Sequence, residues 1–597
     1  MSNKVLKRSE VPVESTWDLT SIFENDAAWE ATFEKVSESL KGVSSLRGTL
    51  STSAESLLNA IKTQETIGYD LGFLYVYAHL QFDTDTTNNR YQGYFSKIQS
   101  LYANFMAAFS FFKTELLAAD EGVIRSFLDH DDLKIYTHDF NQLFANRKFI
   151  LSDKEETLLA QASEVFGAPS SIFGMLNNAD IKFRDVTNEL GEKVPLSHGR
   201  YVLFLENKNR DVRKDAFMAM YETFKGLKNT FATTLSSAIK VHNFNAKVRG
   251  YDSARHAALS ANHIPESVYD ALVEAVNDKL DYLHSYVDLR KKALKQDDVA
   301  MYDMYTPLVE SVETKFTYEF AKDIILKALS ILGDEYLEVL HKAFDERWID
   351  VYENEGKRSG AYSSGTYGTN PYILMNWQDN IDNVFTLAHE LGHSVHSYFT
   401  RKYQPFVYGD YSIFLAEVAS TTNEILLTDY MLKEFDDPKL KAYLINHYLD
   451  GFKGTVFRQT QFAEFEHVIH QADQNQTPLT QEFLTTTYFE LNKKYYGEVM
   501  TYDEEIGYEW ARIPHFYYNY YVFQYATGFS AASALSARIL SNPKENVTPY
   551  LNYLKAGSSD FPIEVLKKAG VDMTTNQATK EALDVFKQRL DELMKLV

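Results

Sequence analysis

His389-Glu390-Leu391-Gly392-His393 carries more information about structure and chemistry than any other segment of this 597-residue chain. On an α-helix, residues i and i+4 lie on the same face, so His389 and His393 are predicted to project side by side as nitrogen ligands for a zinc ion. Glu390 lies beside the first ligand, where it can act as general base toward a water molecule activated by the metal. The pentapeptide therefore predicts a helix that carries a metal-dependent hydrolytic site.

The sequence around the motif favours a metal site over a helix with two histidines on its polar surface. The chain contains 16 His, and at that frequency His-Glu-x-x-His is expected by chance only about 0.03 times. Apolar residues recur at helical spacing through the motif, which predicts an amphipathic, half-buried helix: Val384, Leu387, Ala388, Leu391 and Val395. Two imidazoles and a carboxylate on such a helix need partners, and a zinc ion is the simplest one.

A third protein ligand is expected, because catalytic zinc usually has three and keeps one position open. Phe399 stands where the metzincin pattern requires another His, so that class is excluded. The segment 413–427 is predicted to be a helix, and Glu417 lies in it among apolar neighbours. We expect Glu417 to be the third ligand and Glu424, on the same stripe, to orient a ligand histidine. Asp410 is the less favoured ligand because it lies in a loop.

Composition limits the classes of partner. The net charge is −23, so the chain is expected to bind neither nucleic acid nor an anionic membrane. There is no cysteine, which excludes disulfides, cysteine ligands and thiol catalysis. The N-terminal residues lack the apolar run of a signal peptide, and we find no run long enough to cross a membrane. A cytoplasmic enzyme is expected, and its oligomeric state is left open.

Helical periodicity dominates the rest of the chain and predicts a mainly α protein. The predicted helices are Asp26 to Leu40, Ser53 to Ile67, Tyr91 to Leu117, Lys154 to Phe166, Arg210 to Val248, Pro265 to Leu294, Lys315 to Leu332 and Gln577 to Leu596. A short hairpin is predicted within residues 181–197. The joint between two domains is expected in the same segment. We therefore expect an N-terminal helical domain over residues 1–195 and a catalytic domain over residues 196–597.

Two segments outside the predicted helices are candidates for substrate contacts. Residues 360–377 are rich in Gly, Ser and Tyr and turn into a β-prone run just before the zinc helix. A strand there could pair with an extended peptide, or it could serve packing alone. Residues 512–528 contain His515 and several tyrosines. These side chains could donate hydrogen bonds to the negative charge that develops on a carbonyl oxygen, or they could form an aromatic core.

Together these segments resemble the oligoendopeptidase F group of the thimet oligopeptidase-like (M3) zinc metallopeptidases. The resemblance spans most of the chain and is most specific between Tyr305 and Gly528. The segments that carry it are the zinc motif, Arg347-Trp348-Ile349-Asp350, Arg358-Ser359-Gly360-Ala361-Tyr362-Ser363, Ala416-Glu417-Val418-Ala419-Ser420 and Ile513-Pro514-His515-Phe516-Tyr517-Tyr518.

The resemblance implies a multi-helical clamshell that encloses a substrate channel, with a small β-element beside the zinc helix. It implies one zinc ion held by two His and one Glu, and cleavage of internal bonds in short, unfolded oligopeptides. The family's ligands match His389, His393 and Glu417, and its general base matches Glu390. Its oxyanion-stabilising histidine matches His515. The spacing after His515 is shorter than in the thimet-type members and Phe523 stands at one register where a Tyr is expected, so Tyr517, Tyr521 and Tyr525 remain alternatives, with Tyr521 favoured.

Overall fold

A computed structural model describes residues 5–309 and 315–597, and it is mainly helical, as predicted. The sequence forms long helices because Gly and Pro are scarce, at 26 and 13 of 597 residues. The α-helices are α1 Asp26–Lys41, α2 Ala54–Thr84, α3 Asn89–Ala108, α4 Phe111–Ala118, α5 Glu121–Phe127, α6 Thr137–Ala145, α7 Asp153–Met175, α8 His198–Leu205, α9 Arg210–Gly226, α10 Lys228–Val248, α11 Ala254–Ser260, α12 Glu266–Asp278, α13 Leu280–Ala293, α14 Tyr318–Leu329, α15 Asp334–Asp345, α16 Ile381–Tyr403, α17 Ile413–Glu434, α18 Pro438–Phe452, α19 Arg458–Gln474, α20 Gln481–Tyr496, α21 Phe523–Ser541, α22 Pro543–Lys555, α23 Pro562–Lys568 and α24 Gln577–Leu593.

The strands are short and form three small sheets. They are β1 Val186–Thr187, β2 Lys193–Val194, β3 Val299–Ala300, β4 Ile349–Asp350, β5 Tyr362–Ser364, β6 Tyr372–Leu374 and β7 Met500–Thr501. Strands β1 and β2 form the hairpin that the sequence predicted, and β3 pairs with β7 in parallel. The third sheet has the order β4-β6-β5, with β4 parallel and β5 antiparallel to β6, so β5 is an edge strand. This sheet is the predicted β-element that precedes the motif helix.

The described chain divides into two compact units, each built from three segments. Unit 1 comprises Met1–Lys148, Thr314–Leu427 and Leu535–Ala569. Unit 2 comprises Phe149–Glu313, Thr428–Ala534 and Gly570–Val597. The three-stranded sheet and the motif helix α16 belong to unit 1, and both two-stranded sheets belong to unit 2. The expected domain boundary at residue 195 stays a prediction.

Several predicted helices are interrupted in the structure. The segment from Arg210 to Val248 is two helices, because the chain leaves helical geometry at Leu227, and the segment from Pro265 to Leu294 breaks at Lys279. The segment from Tyr91 to Leu117 breaks after Ala108. Conversely, α2 continues 17 residues past its predicted end at Ile67, to Thr84. No helix among the described residues is long and apolar enough to cross a bilayer.

Helix α16 forms where the apolar periodicity predicted it. Its first turn is capped by Asn380, whose side-chain oxygen accepts a hydrogen bond from the backbone N–H of Asn383 at 2.8 Å. The apolar stripe foreseen from the sequence is fully buried in unit 1: Val384, Leu387, Ala388, Leu391 and Val395. Burial of this stripe fixes which face of the helix is left for the two histidines.

Helices α16 and α17 approach each other closely at Gly392, the fourth residue of the motif. A Cβ atom at this position would lie 2.6 Å from the Cα of Ser420 and 2.9 Å from the carbonyl oxygen of Ala419. Both neighbours are backbone atoms, which cannot rotate away as the end of a side chain can. Glycine is therefore required for this crossing, and the crossing brings α17 alongside the histidines of α16.

We predict that Gly392→Ala lowers the free energy of unfolding by about 1–3 kcal/mol, because an added methyl group forces the two helices apart. We also expect weaker binding of the metal ion that the sequence predicts, since its expected ligands on the two helices separate. Denaturant unfolding and metal titration check both effects. Gly93→Ala is the matched control, because Gly93 lies within α3 and a Cβ there meets nothing within 4 Å. Equal stability of Gly392→Ala and the native protein contradicts the prediction.

Candidate active site

The motif histidines and Glu417 bring three donor atoms together in unit 1. His389 Nε2 lies 3.1 Å from His393 Nε2. Glu417 Oε2 lies 3.4 Å from the first nitrogen and 3.7 Å from the second. Among the described residues, this is the one group of His, Asp or Glu side chains whose donor atoms converge in a way that could hold a metal ion. The structure therefore brings together the three residues expected to be ligands.

The geometry of this group fits a tetrahedral metal ion. Zinc ligands at about 2.0–2.1 Å from the ion are separated from one another by about 3.3 Å in a tetrahedron. The observed donor separations are 3.1–3.7 Å. The side chains of His389, His393 and Glu417 are 27%, 19% and 38% exposed, so their common face is open to solvent. Two imidazoles and one carboxylate around an accessible point are a typical donor set for catalytic zinc.

Helix α17 also holds both imidazole rings in place. The carboxylate of Glu424 accepts a hydrogen bond from His389 Nδ1 at 2.6 Å. The ring of His393 donates to the backbone carbonyl of Ala416. Each ring thus has one nitrogen occupied by α17 and the other, Nε2, directed to the donor group, which is the usual orientation of ligand histidines. The expected contact of Glu424 with a ligand histidine is present in the structure.

The charges of His389, His393 and Glu417 affect one another's pKa values. Burial lowers the pKa of His389, but hydrogen bonds to Glu417 and Glu424 outweigh burial and raise it to about 10. Burial and the neighbouring charge of His389 lower the pKa of His393 to about 4. Burial opposes ionisation of Glu417, yet its hydrogen bond to His389 brings its pKa down to about 2. One proton on His389 therefore compensates part of the negative charge of the carboxylates around it.

Glu390 is buried beside this group and is in contact with β5. Its side chain is 7% exposed, and burial, with a smaller contribution from the charge of Glu417, raises the pKa of its carboxyl group to about 7. The backbone N–H of Ser363 in β5 donates to that carboxyl group. The Ser363 hydroxyl lies 2.8 Å from the hydroxyl of Ser394 on α16. The edge strand β5 and the motif helix α16 are therefore connected by hydrogen bonds at and near Glu390.

A second buried carboxylate, that of Asp83, also contacts β5, and the sequence did not predict this contact. Asp83 of α2 is 1% exposed and accepts a hydrogen bond from the Tyr362 hydroxyl at 2.9 Å. His79 Nε2 lies 3.0 Å from the same carboxylate, and an Arg358 guanidinium nitrogen lies 3.3 Å from it. The His79 and Tyr362 rings stack with centroids 5.5 Å apart. No spacing in the sequence connects Asp83 to the motif, so no local pattern could have revealed it.

Two other polar residues near the motif have different surroundings. His396 is fully buried and stacks on Tyr411, with ring centroids 3.7 Å apart and planes at 6°. Asp410, the less favoured ligand, accepts a hydrogen bond from the backbone N–H of Tyr411 at 2.8 Å. Neither residue belongs to the group of converging donors among the described residues.

The candidates for oxyanion stabilisation lie in unit 2, whereas the metal group lies in unit 1. His515 is half-buried, and burial lowers its pKa. The rings of Tyr521 and Tyr525 flank it, with centroids at 6.3 Å and 6.1 Å. Tyr517 is 8% exposed and stacks on Phe173 at 4.5 Å, so its ring belongs to the core of unit 2. The roles of His515 and Tyr521 stay predictions.

The loop between His515 and Tyr521 depends on a second buried carboxylate that the sequence did not reveal. Asn519 and Tyr520 adopt positive φ values of 48° and 60°. This conformation is unfavourable for non-glycine residues and needs support from its surroundings. The backbone N–H of Tyr520 donates to Glu466 at 2.7 Å, and burial raises the pKa of Glu466 to about 8. Glu466 thus fixes the turn that precedes Tyr521.

Comparison with known proteins identifies the family. The profile described as Peptidase family M3 matches residues 203–585, and the profile described as Oligopeptidase F matches residues 115–183. This chain belongs to peptidase family M3. It is 53% identical over 597 residues to oligopeptidase PepF of Bacillus subtilis, covering 100% of this chain and 89% of that protein. It is 51% identical to group B oligopeptidase PepB of Streptococcus agalactiae, covering 99% and 98%.

A solved structure has the same fold. The crystal structure of oligoendopeptidase-F from Enterococcus faecium aligns with a TM-score of 0.74 and 45% sequence identity, covering 96% of this chain and 99% of that one. The resemblance to M3 peptidases inferred from the motifs is confirmed, and this M3 chain is a peptidase.

We predict that Asp83→Asn lowers the free energy of unfolding at pH 7 by about 1–3 kcal/mol, because the buried group loses its negative charge and an NH2 donor replaces one of its two acceptor oxygens. Burial raises the pKa of Asp83, but hydrogen bonds from His79 and Tyr362 and the charge of Arg358 lower it below the ordinary carboxyl value. The stabilisation by Asp83 is therefore present above about pH 4 and is lost as the pH falls further.

Urea unfolding of the native protein and the variant between pH 7 and pH 3 measures this difference. The matched control is Asp70→Asn, which removes a carboxylate from the same helix that pairs with the exposed Lys35 and changes stability by no more than about 0.5 kcal/mol. A difference between native protein and Asp83→Asn that widens toward low pH contradicts the assignment.

Proposed function

We propose that this M3 peptidase is a zinc-dependent endopeptidase that hydrolyses internal bonds of short, unfolded oligopeptides. The observation that carries the proposal is the convergence of His389 Nε2, His393 Nε2 and Glu417 Oε2 within 3.7 Å of one another, next to the buried carboxyl group of Glu390. The names of its relatives, oligopeptidase PepF and oligoendopeptidase-F, support oligopeptides as substrates. A cytoplasmic location and the domain division at residue 195 are part of the same proposal.

His389, His393 and Glu417 hold a single zinc ion, and Glu424 orients His389 through its hydrogen bond to Nδ1. When bound, zinc polarises a peptide carbonyl and makes a water molecule more acidic. The chain itself supplies the groups that position the substrate and move protons. The 38% exposure of Glu417 leaves the ligand face accessible to a substrate.

Glu390 is the general base. Its carboxylate takes a proton from the attacking water and passes that proton to the amine that leaves when the peptide bond breaks. Its position is set by the backbone N–H of Ser363, which donates to the carboxyl group, and by the buried face of α16. Because Ser363 belongs to β5, movement of this strand changes the direction in which Glu390 points.

Strand β5 binds the substrate backbone. It lies at the edge of the sheet β4-β6-β5, so its outer side offers to an extended peptide those backbone groups that Glu390 does not occupy. Recognition through backbone groups does not by itself select a side chain. Unfolded peptides can adopt the extended form that strand pairing requires, whereas chains folded into helices cannot.

His515 and Tyr521 stabilise the negative charge that develops on the carbonyl oxygen. Burial lowers the pKa of His515, so its ring is neutral at pH 7 and can donate one N–H. The rings of Tyr521 and Tyr525 both flank His515, and Tyr521 follows directly the turn fixed by Glu466. Tyr521 is therefore favoured over Tyr517, which packs on Phe173.

We predict that substitutions of Glu390 and Glu417 both reduce activity but differ in their effect on bound zinc. Glu390→Gln reduces peptide hydrolysis by about a thousandfold, because the general base is lost, while zinc stays bound. Glu417→Ala removes a ligand, so zinc is lost together with activity. An internally quenched peptide blocked at both ends measures endopeptidase activity, and elemental analysis measures zinc. Substantial turnover in Glu390→Gln, or undiminished zinc in Glu417→Ala, contradicts the assigned roles.

We predict that Tyr521→Phe lowers kcat by about a hundredfold with little change in KM, because the hydroxyl acts on charge that exists only in the transition state. Tyr517→Phe is the control, since it removes a hydroxyl from the same segment but leaves the contact with Phe173. Steady-state kinetics on the blocked peptide separates the two parameters. The assignment to Tyr521 is wrong if Tyr517→Phe produces the loss of kcat and Tyr521→Phe does not.

A further inference from the structure

Unit 1 contains a cavity that the proposed chemistry does not use. Its volume is about 1160 Å³, and its walls come from α2, α3, α4 and α6 together with residues 364–366 and 406–410. Pockets for ordinary small molecules have volumes of about 300–1,000 Å³. This cavity therefore has room for a segment of peptide.

The cavity begins where β5 ends. Ser364 is the last residue of β5 and lines the cavity together with Gly365 and Thr366. The residue before it, Ser363, donates its backbone N–H to the carboxyl group of Glu390. A peptide that pairs with β5 beside Glu390 can therefore continue directly into the cavity.

The walls combine aromatic rings with a few charged groups. Tyr102 is 49% exposed, although aromatic side chains usually pack in cores. The other aromatic residues on the wall include Tyr75, Phe105, Phe112 and Phe406. Aromatic faces attract cations and cover the aliphatic stems of long basic side chains. Three carboxylates and one ammonium group line the same space: Glu65, Asp139, Asp410 and Lys113.

Asp139 differs from the other two carboxylates. Glu65 accepts hydrogen bonds from Tyr136 and Lys62, and Asp410 accepts one from a backbone N–H. Among the described residues, no hydrogen-bond donor or cation lies within bonding distance of the Asp139 carboxylate, although Lys113 and His138 are close enough to act on it electrostatically. Asp139 lines the cavity and is exposed to solvent, and desolvation by the surrounding protein raises the pKa of its carboxyl group.

We propose that this cavity is a specificity site that binds a Lys or Arg side chain of the oligopeptide substrate, with the charged end at Asp139 and the aliphatic stem against the aromatic wall. The inference rests on the proposed peptidase function and adds a substrate class to it. A long basic side chain suits the cavity better than a free amino terminus, because only the side chain has an aliphatic stem for the rings to cover. The net negative lining is complementary to a cation.

The test uses the zinc-loaded native protein and a series of internally quenched peptides that are acetylated at the amino end and amidated at the carboxyl end. One Lys is moved stepwise along an otherwise uncharged sequence, and a matching series has Gln in its place. At one position, Lys lowers KM by about tenfold relative to Gln, with kcat little changed, because a charged group gains an ionic partner. Asp139→Asn abolishes this difference and leaves hydrolysis of the Gln peptides unchanged.

Asp132→Asn is the matched control, because it removes an exposed carboxylate from the segment before α6 that does not line the cavity. The Asp132→Asn variant is expected to retain the preference for Lys over Gln. Equal KM values for Lys and Gln at every position, or a preference that survives in Asp139→Asn, overturns the inference while peptide hydrolysis itself remains. A preference that appears only when the amino terminus is left free assigns the cavity to that terminus and also overturns it. Failure to cleave any peptide refutes the proposed function, and this inference with it.

Discussion

The close crossing of α16 and α17 is the constraint on which the candidate active site depends. The two backbones meet where Gly392 faces Ser420, at a separation that leaves no space for a Cβ atom. Only at this separation do the carboxylates of Glu417 and Glu424 reach the imidazoles of the neighbouring helix. The motif glycine is thus part of the geometry of the donor group, although it supplies no donor atom.

Electrostatics explains why this arrangement favours a cation. Glu417 and Glu424 both face His389, and a third carboxyl group, Glu390, is buried next to it. Without a metal, a proton on His389 offsets part of this negative charge, which is why its pKa is raised to about 10. A divalent cation can replace that proton, so metal affinity falls as the pH falls. The same buried surroundings keep Glu390 ready to exchange a proton near neutral pH.

The features that could be predicted from the sequence are those with a local period. The apolar stripe of α16, the i, i+4 histidines and the spacing of Glu417 and Glu424 all lie within single helices, where a period of 3.6 residues is sufficient. The Asp83–Tyr362 hydrogen bond joins residues 279 positions apart, so no spacing rule connects them. The Glu466–Tyr520 contact spans 54 positions and depends on a turn with positive φ. Helix breaks at Leu227 and Lys279 were missed because the apolar period continues across them, and each compact unit combines three separate segments of chain.

The proposed function depends on the binding of one zinc ion by His389, His393 and Glu417. X-ray diffraction from crystals of the purified protein, recorded just above and just below the zinc absorption edge, tests it most directly. We predict one anomalous peak per chain, about 2.0–2.2 Å from the Nε2 atoms of both histidines and from a carboxylate oxygen of Glu417. A peak bound by other residues, or no peak at this position in crystals soaked with zinc, would contradict it.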